Sequence, residues 1–389
     1  MSSTPPMPTS NPQSHAEGLA AALAKTIARH PRPAGGDPLR RLDAPAFSLS
    51  GMVLNNAQGN QQLAPRKKPP WLKAKVPGGA EYEKLKGLLA DAKLVTVCQE
   101  AGCPNMGECW SRGVATIMIL GDTCTRACGF CNVKTGRPAG LDKDEPRRVA
   151  ESLRVMMQGS GLRHIVITSV NRDELPDGGA GIWAETITRT RDACPGLSIE
   201  VLIPDFEGNW GALQMVIDAR PHIINHNLET VRRMYPAVRP SAKFDRSLEL
   251  LRRVKEQGLV AKTGIMVGIG ENDDEVLGLM DELLERTEVL GVGGQVLAEG
   301  AAGRGSCDIL TIGQYLQPTR NHLPIERFVT PGQFEAYKSA GLAKGFKVVE
   351  SGPLVRSSYH ADHQADELSG VVDEREREMR RRMEGLLGR

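Results

Sequence analysis

From residue 115 to residue 316 the chain alternates short β-branched runs with longer stretches at helical period. The runs fall at 115–120, 163–170, 198–203, 222–228, 260–269 and 308–316. Between them, 145–158, 181–193, 209–219, 246–257 and 272–288 space their apolar residues as amphipathic helices do. Six such alternations predict an α/β fold with a parallel sheet, because parallel neighbours need a long crossover and a helix supplies it. Two arrangements satisfy the pattern: a curved partial barrel and an open doubly wound sheet. In both, ligands gather at the carboxyl ends of the strands.

The segment after the first run is Cys124-Thr125-Arg126-Ala127-Cys128-Gly129-Phe130-Cys131, a C-x3-C-x2-C spacing. Three thiolates can hold three irons of a [4Fe–4S] cube, whose usual complement is four cysteines. The fourth iron is then open to a substrate or cofactor. Zinc is the alternative, but zinc sites usually pair two C-x2-4-C units or recruit histidines, and no histidine is near. A second set precedes the first run: Cys98, Cys103 and Cys109, spaced C-x4-C-x5-C. It too has three thiols and no fourth nearby. Six of the eight cysteines thus fall within 34 residues. No secretory signal occupies the first 60 residues, so the clustering points to metal rather than to a disulfide framework. Cys194 and Cys307 stand apart and read as ordinary buried thiols.

Charge excludes some classes. With 49 basic and 47 acidic residues the formal charge is +2, which does not point to nucleic acid or an anionic membrane. No run of eighteen apolar residues exists, so no membrane span is expected. Residues 1–66 are rich in Pro, Ser, Ala, Gly and Gln and are expected to be a disordered extension, with a short helix at 16–28. Acids are scarce there, Glu17 being the first, but Arg is sparse too. A cytoplasmic extension is therefore favoured over a mitochondrial or plastid transit peptide. Residues 67–114, with a helix over Glu81–Ala92, carry the second cysteine set; 115–328 are the sheet domain; 329–365 form a C-terminal segment; 366–389 are a charged tail. The Gly-rich stretch 264–270 lacks the Gly-Lys-Ser/Thr ending of a Walker phosphate loop.

The C-x3-C-x2-C loop, with the aromatic Phe130 before its third cysteine, resembles radical S-adenosylmethionine enzymes. The two cysteine sets together resemble the lipoyl synthase family, and the resemblance runs from about residue 67 to 360. It is carried also by residues 168–180 (TSVNRDELPDGGA), 200–206 (EVLIPDF), 225–230 (NHNLET), 262–268 (KTGIMVG), 310–319 (LTIGQYLQPT) and 351–359 (SGPLVRSSY). The resemblance implies a partial (β/α)6 barrel with N- and C-terminal extensions over its mouth. It implies two [4Fe–4S] clusters and S-adenosyl-L-methionine as cofactors. Cys124, Cys128 and Cys131 would hold the cluster that cleaves S-adenosylmethionine to a deoxyadenosyl radical. Cys98, Cys103, Cys109 and Ser358 would hold a second cluster, the sulfur donor. Without the resemblance, Ser357 and Ser358 read as turn caps.

The implied reaction puts sulfur at C6 and C8 of an octanoyl-lysine on a carrier protein. Its partners would be the acyltransferase subunits of 2-oxoacid dehydrogenases and the glycine-cleavage H protein, with a reductant such as ferredoxin or flavodoxin and an iron–sulfur carrier for cluster repair. Cofactor contacts are expected at Phe130, Gly178, Gly179, Asn225, Glu229 and Arg239. Gln314 and Tyr315 are expected to face the cavity. The stretch 291–306 departs from the family as an inserted surface loop. Two rivals stand beside this reading: a biotin synthase-like enzyme or methylthiotransferase with an auxiliary cluster, and, from another class, a zinc-bound interaction module.

Overall fold

The computed structural model describes residues 68–368, apart from 74–77, 80–81, 84–85, 88, 90–93, 101, 112–113, 115, 161 and 285–304. The extension 1–66 with its expected helix, most of the expected 291–306 loop, and the tail beyond 368 lie outside the described residues.

Ten strands are described: β1 Val95–Thr96, β2 Thr116–Ile119, β3 Thr123–Cys124, β4 Lys134–Thr135, β5 His164–Ser169, β6 Ser198–Leu202, β7 Ile223–Asn225, β8 Val260–Val267, β9 Ile309–Gln314 and β10 Val348–Gly352. The α-helices delimited among the described residues are α1 Val97–Glu100, α2 Met106–Ser111, α3 Glu145–Ser160, α4 Ala180–Ala193, α5 Trp210–Asp218, α6 Tyr235–Val238, α7 Phe244–Glu256, α8 Asp273–Leu284 and α9 Pro331–Lys344. One large sheet runs β1-β2-β5-β6-β7-β8-β9-β10, open at both ends. Every pairing in it is parallel except β1 with β2. All six expected strands are present as a curved-barrel order, and each expected crossover helix lies between the strands assigned to it. Four strands were not expected: β3 and β4, which pair with each other outside the large sheet, and two within it. The two-residue β1 caps one edge, and β10 adds a further parallel strand beyond β9, in register from Val348↔Ile309 to Gly352↔Gly313.

The central strands β2, β7 and β9 are buried at every position, and β5 and β8 at all but one. Continuous burial is what a parallel sheet covered on both faces demands. The helices cover one face: α4 buries Ile182, Trp183 and Ile187, and α7 buries Phe244, Leu250, Leu251 and Val254. Each fully buried side chain of this size contributes about 1.5–3 kcal/mol. Local chemistry sets the helix starts. Thr330 accepts a bond from the Gln333 amide ahead of Pro331, and Asn209 accepts one from Ala212.

The other face is not wholly apolar. Glu200 of β6, Asn225 of β7 and Lys262 of β8 form a buried polar layer. Lys262 Nζ donates to Glu200 at 2.9–3.0 Å, and Asn225 Nδ2 donates to the same carboxylate at 3.1 Å. Burial opposes charge on Glu200, but Lys262 and then His164 outweigh it and hold the carboxyl below its usual range. Among the described residues no helix is long and apolar enough to cross a membrane.

Candidate active site

After strand β2, Leu120 and Gly121 both take positive φ, and the chain turns into the three-cysteine loop. Three elements hold that loop. Thr125 N donates to the Asn171 carbonyl, after β5, at 3.1 Å. Gly129 N donates to the Val238 carbonyl, at the end of α6, at 3.0 Å. From the segment after β9, Leu323 N donates to the Gly129 carbonyl and His322 Nε2 to the Cys131 carbonyl, both at 3.0 Å. Gly129 packs closely here: a Cβ would stand 2.8 Å from Leu323 Cδ1 and 3.2 Å from the Ala237 carbonyl oxygen.

Arg126, between the first two cysteines, is 5% exposed. It bonds both oxygens of Asp173 at 2.7 Å and one of Asp205 at 2.8 Å. It thereby ties the loop to the carboxyl ends of β5 and β6. Burial works against ionisation of Asp205, yet Arg126 and Arg246 hold its pKa well below the carboxylate range. Cys124 Sγ accepts from the Asn171 amide at 3.3 Å and from its side-chain amide at 3.7 Å. Burial pushes the Cys128 thiol up to about 11 and the Cys131 thiol up to about 12, with neighbouring thiols adding to both.

The second set forms a cavity of its own. Cys98 lies on α1, Cys103 follows it, and Cys109 lies on α2. They line one cavity together with Asn105, Met106, Val114, Thr116, Arg356, Ser358 and Tyr359. Residues from both ends of the described chain thus meet there. Thr116 Oγ1 donates to Ser358 Oγ at 3.0 Å, and Asn105 Nδ2 donates to the Leu354 carbonyl at 2.6 Å. Tyr359 OH donates to Glu108 Oε1 at 3.2 Å. Burial raises the Cys103 thiol, and Cys98 raises it further.

All eight cysteines are free thiols. No three His, Cys, Asp or Glu side chains among the described residues stand close enough to hold a single ion. Each thiol triad would therefore span a larger body or shift to reach an ion. Grouped thiols, two buried and four half-buried, suit iron–sulfur ligation, because coordination deprotonates a thiol and offsets the charge that crowding would otherwise oppose.

The structure brings some expected cofactor contacts together and leaves others apart. Glu229 (φ 68) is anchored by its backbone to the Gly264 carbonyl and the Met266 amide, both at 2.9 Å. Burial raises its pKa against the pull of Arg239, and its charge reaches Cys128 and Cys131. Arg239 Nη1 donates to the Asn227 carbonyl at 2.6 Å and to Tyr235 OH at 2.9 Å, while its buried Nε has no partner. Phe130 is half-buried against the core. Gly178 and Gly179 have φ of 60° and 88° and pack on Phe206 and Leu120. Asp177 takes the Gly179 and Gly181 amides at 2.9 Å each. Asn225 donates into the Glu200–Lys262 layer, and its Oδ1 is unpartnered.

Gln314 and Tyr315 do not fit the expectation of a cavity-facing pair. Gln314 is fully buried and spends its amide on the Val267 and Arg327 carbonyls and the Val329 amide. Tyr315 OH donates to the Leu323 carbonyl at 2.7 Å. Both brace the segment that straps the cysteine loop. Sequence reading also passed over Arg126, Asp173, Asp205 and Thr116. It passed over Glu271, whose carboxylate accepts the Gly268, Ile269 and Gly270 amides at 2.7, 3.1 and 3.2 Å. An acid placed just after a Gly-rich run was the available clue.

The parallel sheet with a three-cysteine loop at its carboxyl end defines a class. A model of the radical SAM superfamily matches residues 118–283, which include Cys124, Cys128 and Cys131. The chain is an enzyme of that class, which brings with it an iron–sulfur cluster and S-adenosylmethionine. A model of the N-terminal domain of lipoyl synthase of that superfamily matches residues 51–103. The lipoyl synthase of Rubrobacter xylanophilus is 54% identical over 302 residues, 77% of this chain and 87% of that one. That of Parabacteroides distasonis is 51% identical, covering 76% and 97%, and the mitochondrial lipoyl synthase of Nematostella vectensis is 48% identical, covering 76% and 94%. The chain belongs to the lipoyl synthase family. Among solved structures, the hydrogenase maturase HydG from Carboxydothermus hydrogenoformans aligns over 74% of this chain and 68% of that one, at 14% identity and a TM-score of 0.47.

Proposed function

We propose that this enzyme inserts two sulfur atoms, at C6 and C8, into an octanoyl group amide-linked to a lysine of a lipoyl-carrier protein. Unactivated C–H bonds resist acid–base attack. When bound, two [4Fe–4S] clusters and S-adenosylmethionine would supply the carbon radicals and the sulfur. In this reading Cys124, Cys128 and Cys131 hold the cluster that works with S-adenosylmethionine. Cys98, Cys103, Cys109 and Ser358 hold the sulfur donor. Residues 67–114 and 329–365 then act as two halves of the donor site, set against the barrel of 115–328.

The chain's own residues have definable tasks. Arg126, Asp173 and Asp205 fix the cysteine loop. Asn171 donates to Cys124 Sγ and orients it. Glu229 and Arg239 set opposite charges beside Cys128, as a zwitterionic cofactor requires. Phe130, Gly178, Gly179 and Asn225 complete the proposed cofactor contacts. Thr116 orients the Ser358 oxygen. An alkoxide is a harder ligand than a thiolate and suits an iron that must leave. The carriers are the acyltransferase subunits of 2-oxoacid dehydrogenases and the glycine-cleavage H protein, in the cytoplasm, with ferredoxin or flavodoxin as reductant and an iron–sulfur carrier restoring the donor.

The observation that carries this reading is the one cavity lined by Cys98, Cys103, Cys109 and Ser358, from opposite ends of the described chain. It is tested with anaerobically reconstituted protein and an octanoylated carrier peptide. About eight irons and eight sulfides per chain are expected. Cys128→Ala should abolish deoxyadenosine, whereas Cys103→Ala should still form some but give no thiolated peptide by mass spectrometry. Lipoyl product from Cys103→Ala would overturn the donor assignment.

A further inference from the structure

Arg356 has no task in the scheme above. It lies two residues before Ser358, and its side chain lines the same cavity as Cys98, Cys103 and Cys109. The guanidinium crosses β9, with Nη1 3.1 Å from where a Cβ on Gly313 would stand. A guanidinium has five N–H donors. Among the described residues this one makes a single hydrogen bond, from Nη1 to the Val355 carbonyl at 2.6 Å, and forms no ion pair with a carboxylate. Other arginines of the site make more bonds: Arg126 has two carboxylates, and Arg239 has a carbonyl and a phenol.

The charge stands in the wall of the donor cavity, with Cys103 among its neighbours there, and it favours the Cys103 thiolate. A cation beside an iron–sulfur group favours its reduced, more negative form and so raises its reduction potential. We propose that Arg356 is a charge-setting residue of the donor site: it raises the reduction potential of the cluster held by Cys98, Cys103 and Cys109. The proposal rests on the two-cluster reading. Arg356 acts here through charge and is not a catalytic residue.

The test uses full-length chain with Cys124, Cys128 and Cys131 replaced by alanine, so that only the donor cluster is present. The readout is its midpoint potential in an EPR-monitored redox titration. Arg356→Gln should shift the potential to more negative values, and Arg356→Lys, which keeps the charge, should restore most of the shift. If Arg356→Gln titrates like the parent, the proposal is wrong. Should Arg356→Gln fail to fold, Arg356→Met, which keeps the length and loses the charge, takes its place with the same outcomes expected. If the triple-alanine parent binds no iron at all, the two-cluster reading itself falls, and the proposal with it.

Discussion

Arg126→Met removes the clamp inside the three-cysteine loop while keeping a long side chain. Three charge-assisted bonds go: two to Asp173 at 2.7 Å and one to Asp205 at 2.8 Å. Bonds of this kind are worth about 1.5–3 kcal/mol each, but their sum overstates the loss. Asp205 keeps Arg246 at 2.7–2.8 Å, so its buried charge is not orphaned. The Asp173 side chain is 23% exposed and regains water. The expected cost therefore falls below the 3–5 kcal/mol of stripping a buried pair, at about 2–3 kcal/mol. For a domain of this size that is a drop in melting temperature of about 4–8 °C. Calorimetry on the metal-free protein measures it without confusing unfolding with cluster loss. Reconstitution gives a second reading: the variant should hold about four irons per chain rather than eight, the losses falling on the Cys124 set. A melting point within about 1 °C of the parent, together with full iron content, would show that the clamp neither stabilises the fold nor holds the loop.

Gly313→Ala would push a Cβ into the Val355 carbonyl oxygen, which is backbone and has little room to give. It should displace Arg356–Ser358 and lower iron in the Cys98 set while leaving the Cys124 set loaded, as the EPR of the corresponding cysteine variants would show. Lys262→Met strands Glu200 in the barrel without a cation and should cost about 3–5 kcal/mol in denaturant unfolding; Glu200→Gln in the same chain should recover most of it. Asp205 and Glu200 both have folded pKa values held below the unfolded ones. Their contribution is present above the unfolded carboxylate range and is lost as pH falls from about 4 towards the lower folded values. Asp205→Asn should therefore melt lower at neutral pH and show a flatter decline between about pH 4 and 2 than the parent.

The strands were legible because their information is local. Ile165-Val166-Ile167 or Ile309-Leu310 announces burial whatever lies next to it. The cysteine loops were legible for the same reason, since a spacing is a local property. What stayed hidden is paired across distance. Arg126 finds Asp173 47 residues on, Lys262 finds Glu200 62 residues back, and Thr116 finds Ser358 242 residues on. No window holds both members of these pairs. One clue was nonetheless present. Glu200 and Lys262 each interrupt a run expected to be buried, and charges of opposite sign are almost never buried unless paired.

β10 was missed for a related reason, and the miss bears on the site. Its five residues, Val348-Val349-Glu350-Ser351-Gly352, are too polar to read as a core strand, and three of them are only half-buried. The strand exists because β9 offers an unpaired edge in matching register. That pairing fixes where the chain goes next: Val355 crosses Gly313, Leu354 accepts from Asn105, and Ser358 arrives beside Thr116 on β2. The six barrel strands do not close, so the outer sides of β2 and β9 receive the two extensions, as β1 and β10. A closed barrel would have had no such edges. The second thiol cavity is thus a consequence of stopping the barrel short: the edges left unpaired are what bring residues 98–109 and 356–358 to one place.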